Sequence, residues 1–382
     1  MRRDEMSKKV DFLYLSESDM MKAGVLDMGR CMASMEEMFR LLQREDYRMG
    51  GQGNEHGMRV LFPKSSEVEG MPLHEPDRRF MIMPAYLGGR FRKFGIKSYG
   101  SNPRNKEEGL PRSILMMSLL DVDTGIPMAY MSANLLSAMR TAAVSGVAAR
   151  HLSREGTETL AVIGPGAMAR YAMMAFLEVR PQITTVKIKG RSQKGIRQFI
   201  EFCKEHFPQI QHYQVCSEIQ EACEESDIIY FGTTNAQVYE ENPQIKEEWI
   251  KKGALVISVS ALLTEAKLLA SPNVKLVADH YRMYEDWGEG RQRPVQKHVS
   301  TLLGMGFYDA VCEGAIQREK IVDMGEILNG QAHGRDNDEE IIFFAEGGLP
   351  VEDVAWACDC YDAARKMQIG TPLNLWDIPA IQ

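Results

Sequence analysis

Residues 159–169 read Thr-Leu-Ala-Val-Ile-Gly-Pro-Gly-Ala-Met-Ala, an apolar run that breaks into Gly164-x-Gly166-x-x-Ala169 and passes straight into helix-forming sequence. Each small residue has a task that a larger one would spoil. Gly164 permits the tight turn out of the strand, Gly166 lets backbone approach a pyrophosphate, and Ala169 allows helix and strand to pack closely. The unpaired N–H groups that open the helix face the anion, with Ala167 and Met168 at the turn itself. A strand before, a helix after and strand–helix alternation beyond are the context this fingerprint requires, so the stretch predicts a dinucleotide-binding domain.

Outward from that loop, strands are expected over 159–163, 184–189, 210–214, 227–231 and 254–259, with helices over 167–180, 195–206 and 219–224. Such alternation argues for a parallel, doubly wound sheet. The second strand ends in Gly190-Arg191-Ser192, where a chain selective for NAD would carry Asp or Glu to hold a ribose 2′-hydroxyl. Arg191 and Ser192 offer donors to a 2′-phosphate instead, which favours NADP(H) over NAD(H). Thr233 and Thr234 follow the strand 227–231 at its carboxyl end, where ligands bind, and are expected beside the cofactor.

Upstream, the segment from Ser16 has a cap signal and apolar residues at Met28, Cys31, Met32, Met35, Met38, Phe39 and Leu42, the spacing of an amphipathic helix expected to open the fold. Short runs bounded by Gly, Pro or Asp then read as strands of one sheet, with Asp121-Val-Asp-Thr-Gly125 as a turn. An Ala-rich helix begins near Ala133, and beyond Lys320 the chain turns helical again, with a β-like run at 341–344. The fold expected is α/β: a Rossmann-type doubly wound parallel sheet at 136–325, inserted into a discontinuous α+β substrate-binding and dimerisation domain made of 1–135 and 326–382.

Composition narrows the partners. The 382 residues hold 45 Lys and Arg against 53 Asp and Glu, a net charge of −8, so a basic nucleic-acid footprint is absent. Apolar stretches such as 171–177 and 341–345 fall far short of the roughly 18 to 20 residues a membrane span needs, and the N-terminus lacks an apolar signal core. These features predict a cytoplasmic protein with neither nucleic-acid nor membrane partners. Seven cysteines without paired CxxC spacing or a zinc-spaced Cys/His cluster predict neither a disulfide scaffold nor a metal.

The stretches FGIKSYGSNPRNKEEGLP, LLDVDTGIPMAYMSANLLSAMRTAAVSGVAARHL, TLAVIGPGAMA and GEILNGQAHGR…EEIIFFAEGGLPVEDVA, in that order, resemble the ornithine cyclodeaminase/mu-crystallin family. The resemblance implies a homodimer acting on a small amino or imino acid whose carboxylate is clamped by two basic residues. Arg59 and Lys97 match those positions. Arg140 and Thr141 match a domain-junction arginine and its neighbour, expected to reach both substrate and cofactor phosphates. Arg112 matches a position facing the nucleotide, and Glu346 and Gly347 match positions lining the substrate pocket. Arg59, Lys97 and Arg140 are thus the expected catalytic set.

One departure bears on the reaction. In the resemblance, relatives that deaminate ornithine, and those that act as alanine dehydrogenases, carry an Asp in the turn after the strand matching 254–259, whereas here Ala261-Leu-Leu263 follows and Glu265 is the only acid before Asp279. Cyclisation needs a carboxylate near the substrate amines, and the apolar triplet is expected to present a wall instead. The first reading is therefore an NAD(P)H-dependent oxidoreductase of a small amino, imino or opine-type acid. The alternatives are a cyclodeaminase-type lyase with bound cofactor, or a mu-crystallin-like NADP(H)-binding protein. The insert 63–77, rich in Pro, Ser and Glu, extends this region without pointing to a chemistry.

Overall fold

The structure, a computed structural model, describes residues 8–51, 53–75 and 78–381, and the chain divides into two compact units. One gathers the chain up to Asp27, Glu45–Met139 and everything from Leu349; the other gathers Met28–Arg44 and Arg140–Gly348.

The first unit is built on an eight-stranded sheet. It begins with β1 (Val10–Leu15), not with a helix: this apolar run pairs parallel to a later strand and antiparallel to the C-terminal strand Thr371–Trp376. Helix α1 (Glu17–Lys22) follows, its Ser16 cap exchanging hydrogen bonds with Asp19 as the sequence suggests. The expected single helix is broken there, because Gly24 takes a left-handed φ of +87° that ends the first turn before α2 (Met28–Gln43) begins. Short strands β2 (Tyr47–Met49) and β3 (Met58–Val60) both pair with β4 (Arg79–Leu87). An antiparallel ladder continues through β5 (Lys93–Ser101), β6 (Ser113–Asp121) and β7 (Pro127–Ser132). The β6–β7 turn is the expected one, Gly125 at φ +72° donating its N–H to the Asp121 carbonyl. Helix Pro350–Met367 packs on β4 and β5, so closely that a Cβ on Gly95 would stand 2.9 Å from Val354 Cγ2. The insert is irregular and mostly exposed through Glu75, and Pro76 and Asp77 lie outside the described residues.

The second unit carries a wholly parallel eight-stranded sheet. Helix α3 (Asn134–Leu152) leads toward β8 (Thr159–Ile163), α4 (Ala167–Val179), β9 (Thr185–Lys189), α5 (Gln193–His206), β10 (His212–Val215), α6 (Ile219–Cys223) and β11 (Ile228–Phe231). Beyond a short strand β12 (Gln244–Ile245) come β13 (Leu255–Ser258), β14 (Leu263–Thr264), β15 (Val274–Ala278), β16 (Ile321–Asp323) and β17 (Ile341–Ala345). The order β10-β9-β8-β11-β13-β17-β15-β16 reverses direction between β8 and β11, which is where such sheets open a ligand crevice. The methionines of α2 are packing residues: Met28, Met32, Met35 and Met38 are all buried.

Two assignments differ from the sequence reading. Helix α2 clusters with the second unit, and so does everything from 326 to Gly348, because β17 inserts between β13 and β15. Every residue of Ile341–Ala345 is buried, as a central parallel strand covered on both faces must be.

Candidate functional site

In the second unit, the glycine turn has the geometry its sequence demands. Gly164 sits at φ +89°, and a Cβ there would stand 2.8 Å from the carbonyl carbon and oxygen of Gly232. The loops after β8 and β11 therefore touch at the switch point. Gly166 occupies the N-cap of α4 with no side-chain cap bond, and a Cβ built on it would meet nothing within 4 Å. That space lies at the N-terminus of a 13-residue helix, the end whose leading N–H groups have no intrahelical acceptor. Ala167 is exposed there, Met168 half-buried, and Ala169 buried against the sheet. The residues present fit a dinucleotide pyrophosphate.

The neighbouring loops complete the cradle. Gly190 is packed so tightly that a Cβ would stand 2.8 Å from Ile196 and 2.9 Å from Pro165, which brings the end of β9 against the glycine turn. Arg191 follows it, exposed. Ser192 is committed to the helix: its hydroxyl oxygen accepts the Gly195 N–H at 3.0 Å as the N-cap of α5, leaving only its proton to donate elsewhere. The backbone N–H of Thr233 donates to Ser260 Oγ at 3.0 Å, and that hydroxyl donates to the Phe231 carbonyl. Thr234 is exposed beside it. Ser260 thus fixes the threonine turn, a role that no local signal announced.

Arg140 lies buried in α3 against the left-handed Gly348, where a Cβ would stand 2.9 Å from its Nη1. Thr141, next along the helix, is half-buried. The Gly347 and Gly348 N–H groups both donate to Asp279, which also accepts from the His280 N–H and the Tyr284 hydroxyl. Burial pushes the Asp279 carboxyl up, against the pull of those four donors. Glu346 is buried as well and accepts the Ser145 hydroxyl at 2.8 Å. Asp279, passed over as merely the next acid in sequence, is the anchor of the Glu346–Gly348 turn.

The triplet 261–263 does not form a wall. All three residues are buried, Ala261 bridging to Leu302 and Leu263 pairing in the small β12–β14 sheet. Glu265 points outward, exposed and paired with Lys267 at 2.8 Å, which holds its carboxyl below the usual range.

In the first unit, Lys97 projects from β5 and is almost completely buried. Its ammonium donates to Asp353 of the C-terminal helix and lies 3.5 Å from Ser137 Oγ. Asp353 was missed because its partner is remote in sequence; the available signal was an acid set among Val351, Val354 and Trp356 on a buried helix. Arg59 is exposed on β3, opposite Met81, while Lys97 is opposite Met83. Strand alternation therefore puts Arg59 and Lys97 on one face of the sheet, with β4 between their strands. Arg112, half-buried at the entrance to β6, accepts the Asn102 N–H on its carbonyl.

The model of the ornithine cyclodeaminase/mu-crystallin family matches residues 25–368. The chain belongs to this family. Among curated relatives, the N-((2S)-2-amino-2-carboxyethyl)-L-glutamate dehydrogenase of Staphylococcus aureus is 29% identical over 78% of this chain and 82% of its own. The alanine dehydrogenase of Archaeoglobus fulgidus is 27% identical over 93% and 96%. Among solved structures, Thermococcus litoralis Delta(1)-pyrroline-2-carboxylate reductase, in complex with NADH and L-proline, superposes with a TM-score of 0.75 at 26% identity, covering 95% of this chain and all of that one. Family members thus include reductases and dehydrogenases of amino and imino acids, and the α/β fold read from the glycine turn is the one they share. Among the described residues, no helix is long and apolar enough to cross a membrane.

Proposed function

We propose that this member of the family is a nicotinamide-dependent oxidoreductase of a small amino or imino acid, with the substrate carboxylate held by Lys97 and Arg59. Lys97 has three N–H donors. Asp353 and Ser137 lie within reach of its ammonium, and the substrate carboxylate is proposed to join them there. Arg59 supplies the second cation from the same sheet face. Arg140, steadied against the Gly348 backbone, stabilises charge at the cofactor and substrate, with Arg112 and Thr141 toward the nucleotide and Glu346 and Gly347 toward the substrate. A bound nicotinamide supplies or takes up the hydride; the chain's part is binding, orientation and charge.

The observation that carries net redox chemistry over cyclodeamination is the loop after β13. Residues 261–263 are buried and Glu265 is exposed on its own ion pair, so that loop offers no carboxylate to shuttle protons between substrate amines. The kinship to dehydrogenases and reductases supports the same reading. A panel of 2-oxo acids with ammonia or a second amino acid, followed by nicotinamide absorbance, tests it.

Two finer assignments belong to the proposal. NADP(H) is favoured over NAD(H), supported by the exposed Arg191 and the absence of any carboxylate at 190–194. A homodimer is supported by the other face of the first unit's sheet, where Met58, Val60, Phe80, Ile82 and Ile114 form a row of exposed apolar side chains. Such a contiguous patch marks an association surface, and a second copy supplies a matching one. Ile82→Lys should shift the scattering mass from dimer to monomer; an unchanged mass contradicts this surface.

A further inference from the structure

Asp279 follows β15 and is buried, and every accepting site of its carboxylate carries a donor. Oδ1 accepts the His280 N–H at 2.7 Å and the Tyr284 hydroxyl at 3.1 Å. Oδ2 accepts the Gly347 N–H at 2.6 Å and the Gly348 N–H at 3.3 Å. A carboxylate has about four lone-pair sites, so none is left over. The backbone adds a fifth tie, the Asp279 N–H donating to the Ala345 carbonyl at 3.0 Å. One residue therefore holds the chain that leaves β17, from Ala345 to Gly348.

That turn in turn sets the place of an arginine. A Cβ on Gly347 would stand 2.2 Å from Met283 Cε and 2.9 Å from the Tyr284 hydroxyl oxygen, so the turn is pressed onto the helix Tyr281–Gly288. Gly348 takes a left-handed φ of +80°, and a Cβ there would stand 2.9 Å from Arg140 Nη1. The guanidinium uses the room that the missing side chain leaves, so the path of the turn decides where Arg140 lies. Glu346 ties the same turn to the same helix, accepting the Ser145 hydroxyl from α3. We propose that Asp279 is a positioning residue for Arg140, fixing the Gly347–Gly348 backbone so that the guanidinium is held in place for the cofactor. This rests on the reading that puts Arg140 at the cofactor. Ordering a rotamer-rich side chain beforehand spares entropy that binding would otherwise cost. An amide at 279 would keep one accepting oxygen but turn an NH2 group toward backbone donors, so the turn would shift and Arg140 with it.

The test is a double-mutant cycle on NADPH affinity, read by fluorescence titration of the full chain with urea unfolding in parallel. Arg140→Met should weaken NADPH by about ten- to a hundredfold, the scale of a lost charge-assisted contact. Asp279→Asn should weaken it by about three- to tenfold in the parent, yet by less than about twofold in the Arg140→Met background, because contacts that act through one residue do not add. A merely structural Asp279 would cost the same in both backgrounds, and that result overturns the proposal, as does parental affinity in the Asp279→Asn protein. Asp279→Glu keeps the charge and displaces it by one methylene, and it runs the same cycle if Asp279→Asn fails to fold. An Arg140→Met protein with parental affinity removes Arg140 from the cofactor and takes the proposal with it, whereas additive losses overturn the proposal alone. No arm depends on turnover, so a chain that reduces no oxo acid counts against the oxidoreductase reading and leaves this decision intact.

Discussion

The Lys97 ammonium and the Asp353 carboxylate face each other in a space that excludes water, Lys97 being 2% exposed and Asp353 not at all. Two charges buried together offset one another's desolvation, but either one left alone does not. Asp353→Asn strands the Lys97 cation and should cost about 3 to 5 kcal/mol in urea unfolding. The double variant Lys97→Met/Asp353→Leu should recover most of that loss. An Asp353→Asn protein as stable as the parent would show that water reaches the pair.

The same lysine is assigned to the substrate. Lys97→Met alone strands the Asp353 carboxylate and should destabilise on the same scale, so activity is read in the Lys97→Met/Asp353→Leu double variant, whose kcat/KM should fall by about a hundredfold, consistent with losing an ionic hydrogen bond to substrate. NADPH affinity should persist. Loss of cofactor binding and of the melting transition together would make Lys97 a structural residue and nothing more.

The two glycines of the nucleotide turn should fail in different ways. Gly164→Ala forces a side chain into φ +89° and against the Gly232 carbonyl, so it should lower stability by about 1 to 3 kcal/mol before any ligand is added. Gly166→Ala meets no atom within 4 Å, so it should melt near the parent yet weaken NADPH in fluorescence titration, its methyl standing where the pyrophosphate must come. If both variants lose the same property, the division of labour is wrong.

The proposed preference for NADP(H) rests chiefly on Arg191, since the Ser192 oxygen caps α5. Arg191→Ala should weaken NADPH by about ten- to a hundredfold, the value of a charge-assisted contact to a 2′-phosphate, and leave NADH nearly unchanged. Tighter NADH than NADPH binding in the parent would refute the ribose argument.

Glu36 gives a pH signature to the second unit. The hydrogen bond from His151, aided by Arg150, holds its carboxyl near about 2, against an ordinary 4.5 and despite partial burial. A folded-state value below the unfolded one adds stability that is complete above about pH 4.5 and drains away as pH falls toward 2. Glu36→Gln should flatten that limb of the urea-stability profile. Parallel profiles for the two proteins would mean that the pairing contributes nothing.

Legibility in the sequence followed the range of the interactions involved. The glycine turn and the β8 to β11 alternation were readable because the backbone demands of Gly164, Gly166 and Ala169 are local. Strand β17 was read as a β-like run, yet its place at the sheet centre depends on strands far from it in sequence. Asp353 lies 256 residues from Lys97, beyond the reach of any local sequence pattern. Ser260 and Asp279 act by holding turns that precede or follow them at a distance, which leaves no periodic trace. Arg59 and Lys97 came from the family resemblance, and register alone then puts them on one face.

The most direct test of the central claim is absorbance at the nicotinamide band with the purified chain, NADPH and a panel of 2-oxo acids with ammonia or a second amino acid. The account predicts net loss of NADPH, one equivalent for each amine product formed. Ammonia release from a diamino acid with no net change in absorbance, or tight NADPH binding with no turnover of any substrate, would contradict it.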